Sequence, residues 1–266
     1  MLTESLRFSR KVGALLRDRR DGSARVRHKL ETWVDRFTAA GVLPAVGSAS
    51  ELDRVVTQFT DRAEPVGSSL TSSLEARIEK SRLHLSRGPF PVDGLHNGTV
   101  TLGRLCYLLC RQLKPRLVVE TGVAYGVTSA YILQALADNG YGELSSIDLP
   151  PLADDAKSYV GYFIPQELRG RWKLHLGPAS RLLPSVLHET GEIDLFVHDS
   201  LHTYAHMKWE FETALRSLRP GGVIIADDIE GNRAFEGITR HPAVASWFAI
   251  RQEGKDAICG ALRTRS

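Results

Sequence analysis

From about residue 97 onward the chain alternates short apolar strands with helices, and this alternation constrains its fold more than any other feature. A helix carrying Leu102, Leu105, Leu109 and Leu113 leads through Lys114-Pro115 into the strand Leu117–Glu120. Further strands read at Leu144–Leu149, Trp172–Leu176, Ile193–His198 and Val223–Ala226, separated by helices near 127–138, 180–189 and 203–218. Apolar strands joined by helical crossovers predict a parallel sheet with helices on both faces. The end departs from this rhythm. Trp247–Gln252 and Asp256–Leu262 flank Glu253-Gly254-Lys255, which reads as a β-hairpin. The expected fold is therefore α/β, a doubly wound seven-stranded sheet closed by an antiparallel hairpin.

The first 95 residues have a different texture. Val26, Leu30, Trp33, Val34 and Phe37 recur at helical spacing, and Gly41 and Pro44 end that helix. Ser50 is placed to cap a second helix with Leu52, Val55, Val56 and Phe59, and a third runs through Leu70, Leu74 and Ile78. Gly88-Pro89-Phe90-Pro91 breaks the pattern. We expect residues 1–95 to be a helical cap or oligomerisation segment, packed on the next domain or a partner subunit, and residues 96–266 to be the main domain.

Charge and cysteine content narrow the function classes. With 34 basic and 31 acidic residues, the net charge of +3 is too mild to imply nucleic acid as a partner of the whole chain. Nine Lys/Arg between residues 7 and 29, against Asp18 and Asp21, read as a solvated helical face, with RNA or acidic lipid as competing readings. Cys106, Cys110 and Cys259 are odd in number and form no CxxC pair, which fits reduced thiols in a cytoplasm. The apolar stretch Val12–Leu16 is too short for a secretion signal, and no run approaches the roughly 20 residues of a membrane helix.

Two motifs carry chemistry. In the first, Glu120-Thr-Gly-Val-Ala-Tyr-Gly-Val-Thr128, a strand runs into a glycine-rich turn and then a helix. Gly122 and Gly126 let backbone approach a ligand closely. The pattern is ExGxxxG rather than the GxGxxG of a dinucleotide site, and its acid suits a cationic amine better than a pyrophosphate. The next strand ends in Ile147-Asp148, where a carboxylate can accept two ribose hydroxyls.

The second motif joins Asp199-Ser-Leu-His202 with Asp227-Asp228. All three acids follow strands, at the end where open α/β sheets place their ligands. Three carboxylates in one crevice repel unless a cation binds, and hard oxygen donors favour Mg²⁺ or a similar ion over zinc. His202 has the ordinary pKa needed to take a proton from a hydroxyl at neutral pH. Each residue also has a plainer reading. Asp227 or Asp228 can cap a turn, His202 and His206 can be a surface pair, and His198, Trp209 and Phe211 read as core.

Residues 97–266, with these motifs and the terminal hairpin, resemble the class I S-adenosylmethionine-dependent methyltransferases, whose sheet is Rossmann-like. The resemblance implies that Glu120, Gly122, Ala124, Tyr125, Gly126, Thr128 and Ser129 hold the methionine part of the donor. It makes Asp148 the ribose acid, and Ala179 and Ser180 part of the loop framing adenine, with Asp199 also beside the donor. The Asp199-x-x-His202 motif with Asp227-Asp228 is similar to metal-dependent O-methyltransferases of macrolide sugars (macrocin and mycinamicin types) and to the cephalosporin-hydroxylase-like group. That likeness implies a metal held by Asp199, Asp227 and Asp228, with His202 as catalytic base. Catechol O-methyltransferase is similar in layout but carries a lysine near the His202 position, and the nearest lysine here is Lys208. The expectation is a Mg²⁺-dependent O-methyltransferase acting on a hydroxyl of a sugar, natural-product vicinal diol or phenol, as a homo-oligomer. Tyr125, Tyr204, Asn232 and Phe235 are candidates for the substrate rim. The alternatives are an RNA-associated methyltransferase using the basic arm and a non-catalytic protein that binds S-adenosylmethionine.

Overall fold

The computed structural model describes residues 21–41, 43, 46–61, 69–85, 99–152 and 155–266. The elements are α1 (Gly22–Asp35), β1 (Gly47–Ser48), α2 (Leu52–Thr60), α3 (Ser69–Leu85), α4 (Val100–Leu113), β2 (Leu117–Thr121), α5 (Val127–Asn139) and β3 (Glu143–Asp148). They continue with β4 (Trp172–Leu176), α6 (Ala179–Thr190), β5 (Ile193–His198), α7 (Tyr204–Leu215), β6 (Leu218–Ala226), α8 (Ala234–Thr239), β7 (Val244–Arg251) and β8 (Ile258–Thr264). Short 3-10 turns, 49–51, 156–159 and 166–171, fill connections.

The strands form one sheet in the order β1-β7-β8-β6-β5-β2-β3-β4. β8 runs antiparallel to both β6 and β7, and the other pairs are parallel. Seven strands match the sequence expectation, and the described residues add an eighth. Gly47 and Ser48 pair with Ile250 and Arg251 on the outer side of β7. A free strand edge exposes unpaired N–H and C=O groups, and even two residues cover some of them.

Side chains alternate across the sheet as the pleat requires. Val118, Leu195, Val197, Val223 and Ile225 enter the core on the face covered by α4 and α5. Val119, Phe196 and Ile224 enter the opposite core, under α6, α7 and α8. Leu52, Val56, Leu74, Ile78 and Leu85, from α2 and α3, belong to the first of these cores. Arg104 binds Glu75 through two hydrogen bonds of 2.9 Å, tying α4 to α3. These N-terminal helices therefore share the interior of the main domain. The stretch proposed as the boundary, residues 88–91, lies outside the described residues, as does the basic arm up to residue 20. Among the described residues no helix is long and apolar enough to cross a membrane.

α1 behaves differently. Its stripe is exposed, with Trp33 at 59% and Phe37, just beyond the helix, at 78%. Polar contacts hold the helix instead. Arg25 donates to the Pro150 carbonyl (3.0 Å), Arg181 pairs with Asp21 (2.8 Å), Thr203 donates to Glu31 (3.3 Å) and the Tyr204 N–H donates to Asp35 (3.0 Å). α1 thus bridges the loop after β3 and the start of α7.

Candidate active site

The C-terminal ends of β2, β3, β5 and β6 open into a cavity of about 520 Å³. One wall is the turn after β2. The Gly122 N–H continues the sheet by donating to the Ile147 carbonyl (2.8 Å). A Cβ on Gly122, at φ +86°, would lie 1.8 Å from the Asp199 carbonyl oxygen, so no other residue lets these two strand ends approach this closely. Ala124 also has a positive φ of 47°, a conformation that costs a residue with Cβ. Asp148 holds this turn: its Oδ1 accepts from the Val123 and Ala124 N–H groups at 2.9 and 3.2 Å. Burial raises the Asp148 carboxyl despite these two bonds. Pro150, Tyr159, Gly177 and Ala179 extend the wall.

The opposite wall carries the acids and histidines. Asp199, His202 and Asp227 bring one potential ligand atom each within 4.8 Å of one another. Asp228, in the left-handed region at φ 47°, also lines the cavity. Burial and then the neighbouring Asp227, Glu120 and Asp228 push the Asp199 carboxyl well above the carboxylate range. Burial and Asp228 raise Asp227 likewise. His202 lies between the acids, Nε2 3.9 Å from Asp199 and Nδ1 3.7 Å from Asp228, both beyond hydrogen-bond length. Its Nε2 is enclosed and unpartnered. Burial and the adjacent His198 push His202 down to about 3, so the ring is neutral at neutral pH.

Behind His202 lies a buried network centred on Glu210. Its carboxylate meets His198 (2.6 Å) and His206 (3.0 Å) and accepts from Thr121 (2.6 Å) and Ser200 (3.0 Å). Burial alone would raise Glu210, but His198 and His206 hold it well below its ordinary value. His206 also faces the cavity and meets the ring of His28, from α1, edge-on at 5.4 Å.

Residues 119–229 match the family model described as a methyltransferase domain. Over this stretch the chain is similar to methyltransferase domains. No curated protein matches the sequence. Solved structures match the fold. A putative O-methyltransferase from Klebsiella pneumoniae is 20% identical with a TM-score of 0.55, covering 82% of this chain and 97% of its own. An O-methyltransferase from Bacillus cereus, solved with S-adenosylhomocysteine, is 21% identical with a TM-score of 0.53, covering 81% and 100%. TomG from Streptomyces achromogenes, an O-methyltransferase involved in tomaymycin synthesis and solved with S-adenosylmethionine, is 20% identical with a TM-score of 0.54, covering 81% and 98%. The architecture is that of the class I methyltransferases.

The cavity brings together Gly122, Ala124, Tyr125, Gly126, Thr128, Asp148, Ala179, Asp199, His202, Asp227 and Asp228. Other expected site residues stand elsewhere. Glu120 is fully buried beneath the turn and accepts from Ser129 and Ser146, each at 2.7 Å. It shares a strand face with Val118, so the pleat directs both toward α5 rather than the cavity. Ser129 is committed to that bond, and Ser180 lies one residue beyond the cavity-lining Ala179. Of the proposed substrate rim only Tyr125 lines the cavity. Asn232 is buried, donating to the His202 carbonyl (3.1 Å) and accepting from the Ala234 N–H (2.9 Å). Phe235 is core, and Tyr204 is exposed beside α1. Lys208 is ion-paired with Glu212 on the surface. The sequence reading missed His28 and Lys255, which both line the cavity.

Proposed function

We propose that this protein is a Mg²⁺-dependent O-methyltransferase. It would transfer the methyl group of S-adenosylmethionine to a hydroxyl of a small molecule, either a sugar or natural-product vicinal diol or a phenol. One observation carries the reading: the glycine turn with Asp148 and the acid–histidine cluster face each other across a single cavity. Donor and acceptor held this way react as if within one molecule, which supplies much of the rate.

Asp148 has Oδ1 committed to the turn and Oδ2 left for the ribose hydroxyls. The backbone from Gly122 to Gly126 and the Thr128 side chain close around the methionine end. Asp199, Asp227 and Asp228 would hold the metal. Asp199, Asp227 and His202 bring potential ligand atoms within 4.8 Å of one another, and neighbouring carboxylates raise both acids, Asp227 acting on Asp199 and Asp228 on Asp227, which fits a divalent cation held by hard oxygen donors. When bound, such an ion lowers the pKa of a coordinated hydroxyl. His202 is neutral and accepts the hydroxyl proton at Nε2. The acceptor oxygen then attacks the methyl carbon while the carbon–sulfur bond breaks, giving a methyl ether, S-adenosylhomocysteine and one proton. The Glu210 network orients the histidines behind the site and excludes water from their far side.

The test is transfer from methyl-labelled S-adenosylmethionine to a panel of catechols and vicinal-diol sugars, with Mg²⁺ and with a chelator. Transfer that stops in chelator and returns with Mg²⁺ is expected. Full transfer in chelator would refute the metal requirement, and no binding of S-adenosylmethionine to folded protein would refute the enzyme.

A further inference from the structure

The acid cluster already contains a cation of its own. Lys255 sits in the connection between β7 and β8 and reaches into the cavity, its Nζ 2.6 Å from Asp228 Oδ1 and 3.6 Å from Asp227 Oδ2. We propose that Lys255 is a resident counter-ion of the Asp227–Asp228 pair that competes with a divalent metal for it, and so sets how tightly this site holds metal. The inference rests on the metal site proposed above and concerns what that site does before metal arrives.

The local backbone explains why a side chain from a distant turn arrives here. β8 pairs antiparallel with β6, Gly260 opposite Ala226, so the hairpin end falls beside Asp227 and Asp228. Gly254, at φ +75°, permits the reversal, and the Ala257 N–H closes it on the Lys255 carbonyl (2.9 Å). Gln252 in the same connection donates to Asp227 Oδ1 (2.5 Å) and accepts from Thr99. The turn thus touches the acids twice, with a neutral amide on one carboxylate and an ammonium on the other.

The charges make this a competition. Asp199, Asp227 and Asp228 crowd one crevice, and among the described residues Lys255 is the lysine or arginine lining it. An ammonium at 2.6 Å takes a lone pair of Asp228 that a metal would need. It also repels any divalent ion drawn to the same oxygens. Lysine suits this role because its charge rides on a flexible four-carbon stem. Lys255 is 39% exposed, so it can swing into solvent when a metal displaces it. A site neutralised in this way does not depend on metal to stay folded.

Titration calorimetry with Mg²⁺ and with Mn²⁺, on wild type and on the Lys255→Met, Lys255→Gln and Lys255→Arg variants, tests the proposal. The neutral variants should bind Mn²⁺ at least tenfold more tightly than wild type and melt at lower temperature without metal, with Mg²⁺ restoring the loss. Lys255→Arg, which keeps the charge, should bind metal like wild type. If wild type binds metal and both neutral variants bind no tighter, the proposal fails while the metal site stands. If only the neutral variants bind, the proposal holds and the Mg²⁺ requirement of the wild-type enzyme falls. If no form binds either ion, both readings fail.

Discussion

Replacing Glu120 by Gln should change how the stability of this protein depends on pH, and the size of the change follows from burial. Glu120 is fully enclosed, and its Oε2 accepts from Ser129 and Ser146 while Oε1 has no partner. Burial outweighs the two serine bonds and raises its carboxyl from 4.5 to about 7. Below pH 4.5 the group is protonated in both folded and unfolded chains and costs nothing. As pH rises, the unfolded chain releases its proton first, which draws the equilibrium toward unfolding until the folded group also ionises near 7. At about 1.4 kcal/mol per tenfold, the interval from 4.5 to about 7 amounts to about 3 kcal/mol lost above pH 8. Glutamine keeps an oxygen for both serines and cannot ionise. Urea unfolding of wild type and Glu120→Gln at pH 5 and pH 8.5 should show the difference moving in favour of the variant by about 2–3 kcal/mol. A difference constant across that range would refute the claim that a desolvated carboxylate lies under the cofactor turn.

Other outcomes follow from the same geometry. His202→Ala should lower methyl transfer by about 10²–10⁴-fold with little change in S-adenosylmethionine affinity, as read by steady-state rates and calorimetry. Asp148→Asn retains an acceptor for the Val123 and Ala124 N–H groups but loses the charge, and should weaken S-adenosylmethionine binding about 10–100-fold. Gly122→Ala forces a Cβ onto the Asp199 carbonyl, so the midpoint of thermal unfolding should fall and binding of S-adenosylmethionine should be lost, with backbone strain alone costing about 1–3 kcal/mol. Leu74→Ala, on α3, should cost about 2–5 kcal/mol and keep a single unfolding transition, because Leu74 lies in the same core as α4 and α5. Two separate calorimetric transitions would show instead that the N-terminal helices fold apart from the domain.

β2, β3, β5 and the second half of β6 were legible because they are buried on both faces and run as short apolar stretches, and the glycine turn after β2 marked where the ligand end begins. β6 starts at Leu218 rather than Val223, since its first residues, Leu218-Arg-Pro-Gly-Gly222, lack the apolar signal while still pairing Leu218 with Ile193. Helix α8 is six residues long, too short for periodicity, although Asn232, whose side-chain oxygen accepts from the Ala234 N–H in the turn that leads into it, was a usable signal. The orientation of Glu120 was in principle readable, because strand alternation puts it on the face of Val118 and not at the strand's open end. The stripe of α1 was visible, but not its exposure. Periodicity reports one apolar face and says nothing of what covers it, and polar contacts up to 172 residues apart in sequence hold that helix. Lys255 escaped notice because its role depends on the β6–β8 register, which brings it beside acids 27 residues earlier. His28 reaches the cavity only through the docking of α1.

The central claim is that the methyl donor and the acid–histidine cluster share one cavity. Relaxation of the ¹³C-methyl signal of S-adenosylmethionine, measured by NMR with the protein in the presence and absence of Mn²⁺, tests it most directly. The account predicts strong paramagnetic relaxation with wild type and its loss when Asp199 and Asp227 are both replaced by Ala. Binding of both S-adenosylmethionine and Mn²⁺ with no effect of the metal on the methyl signal would contradict it.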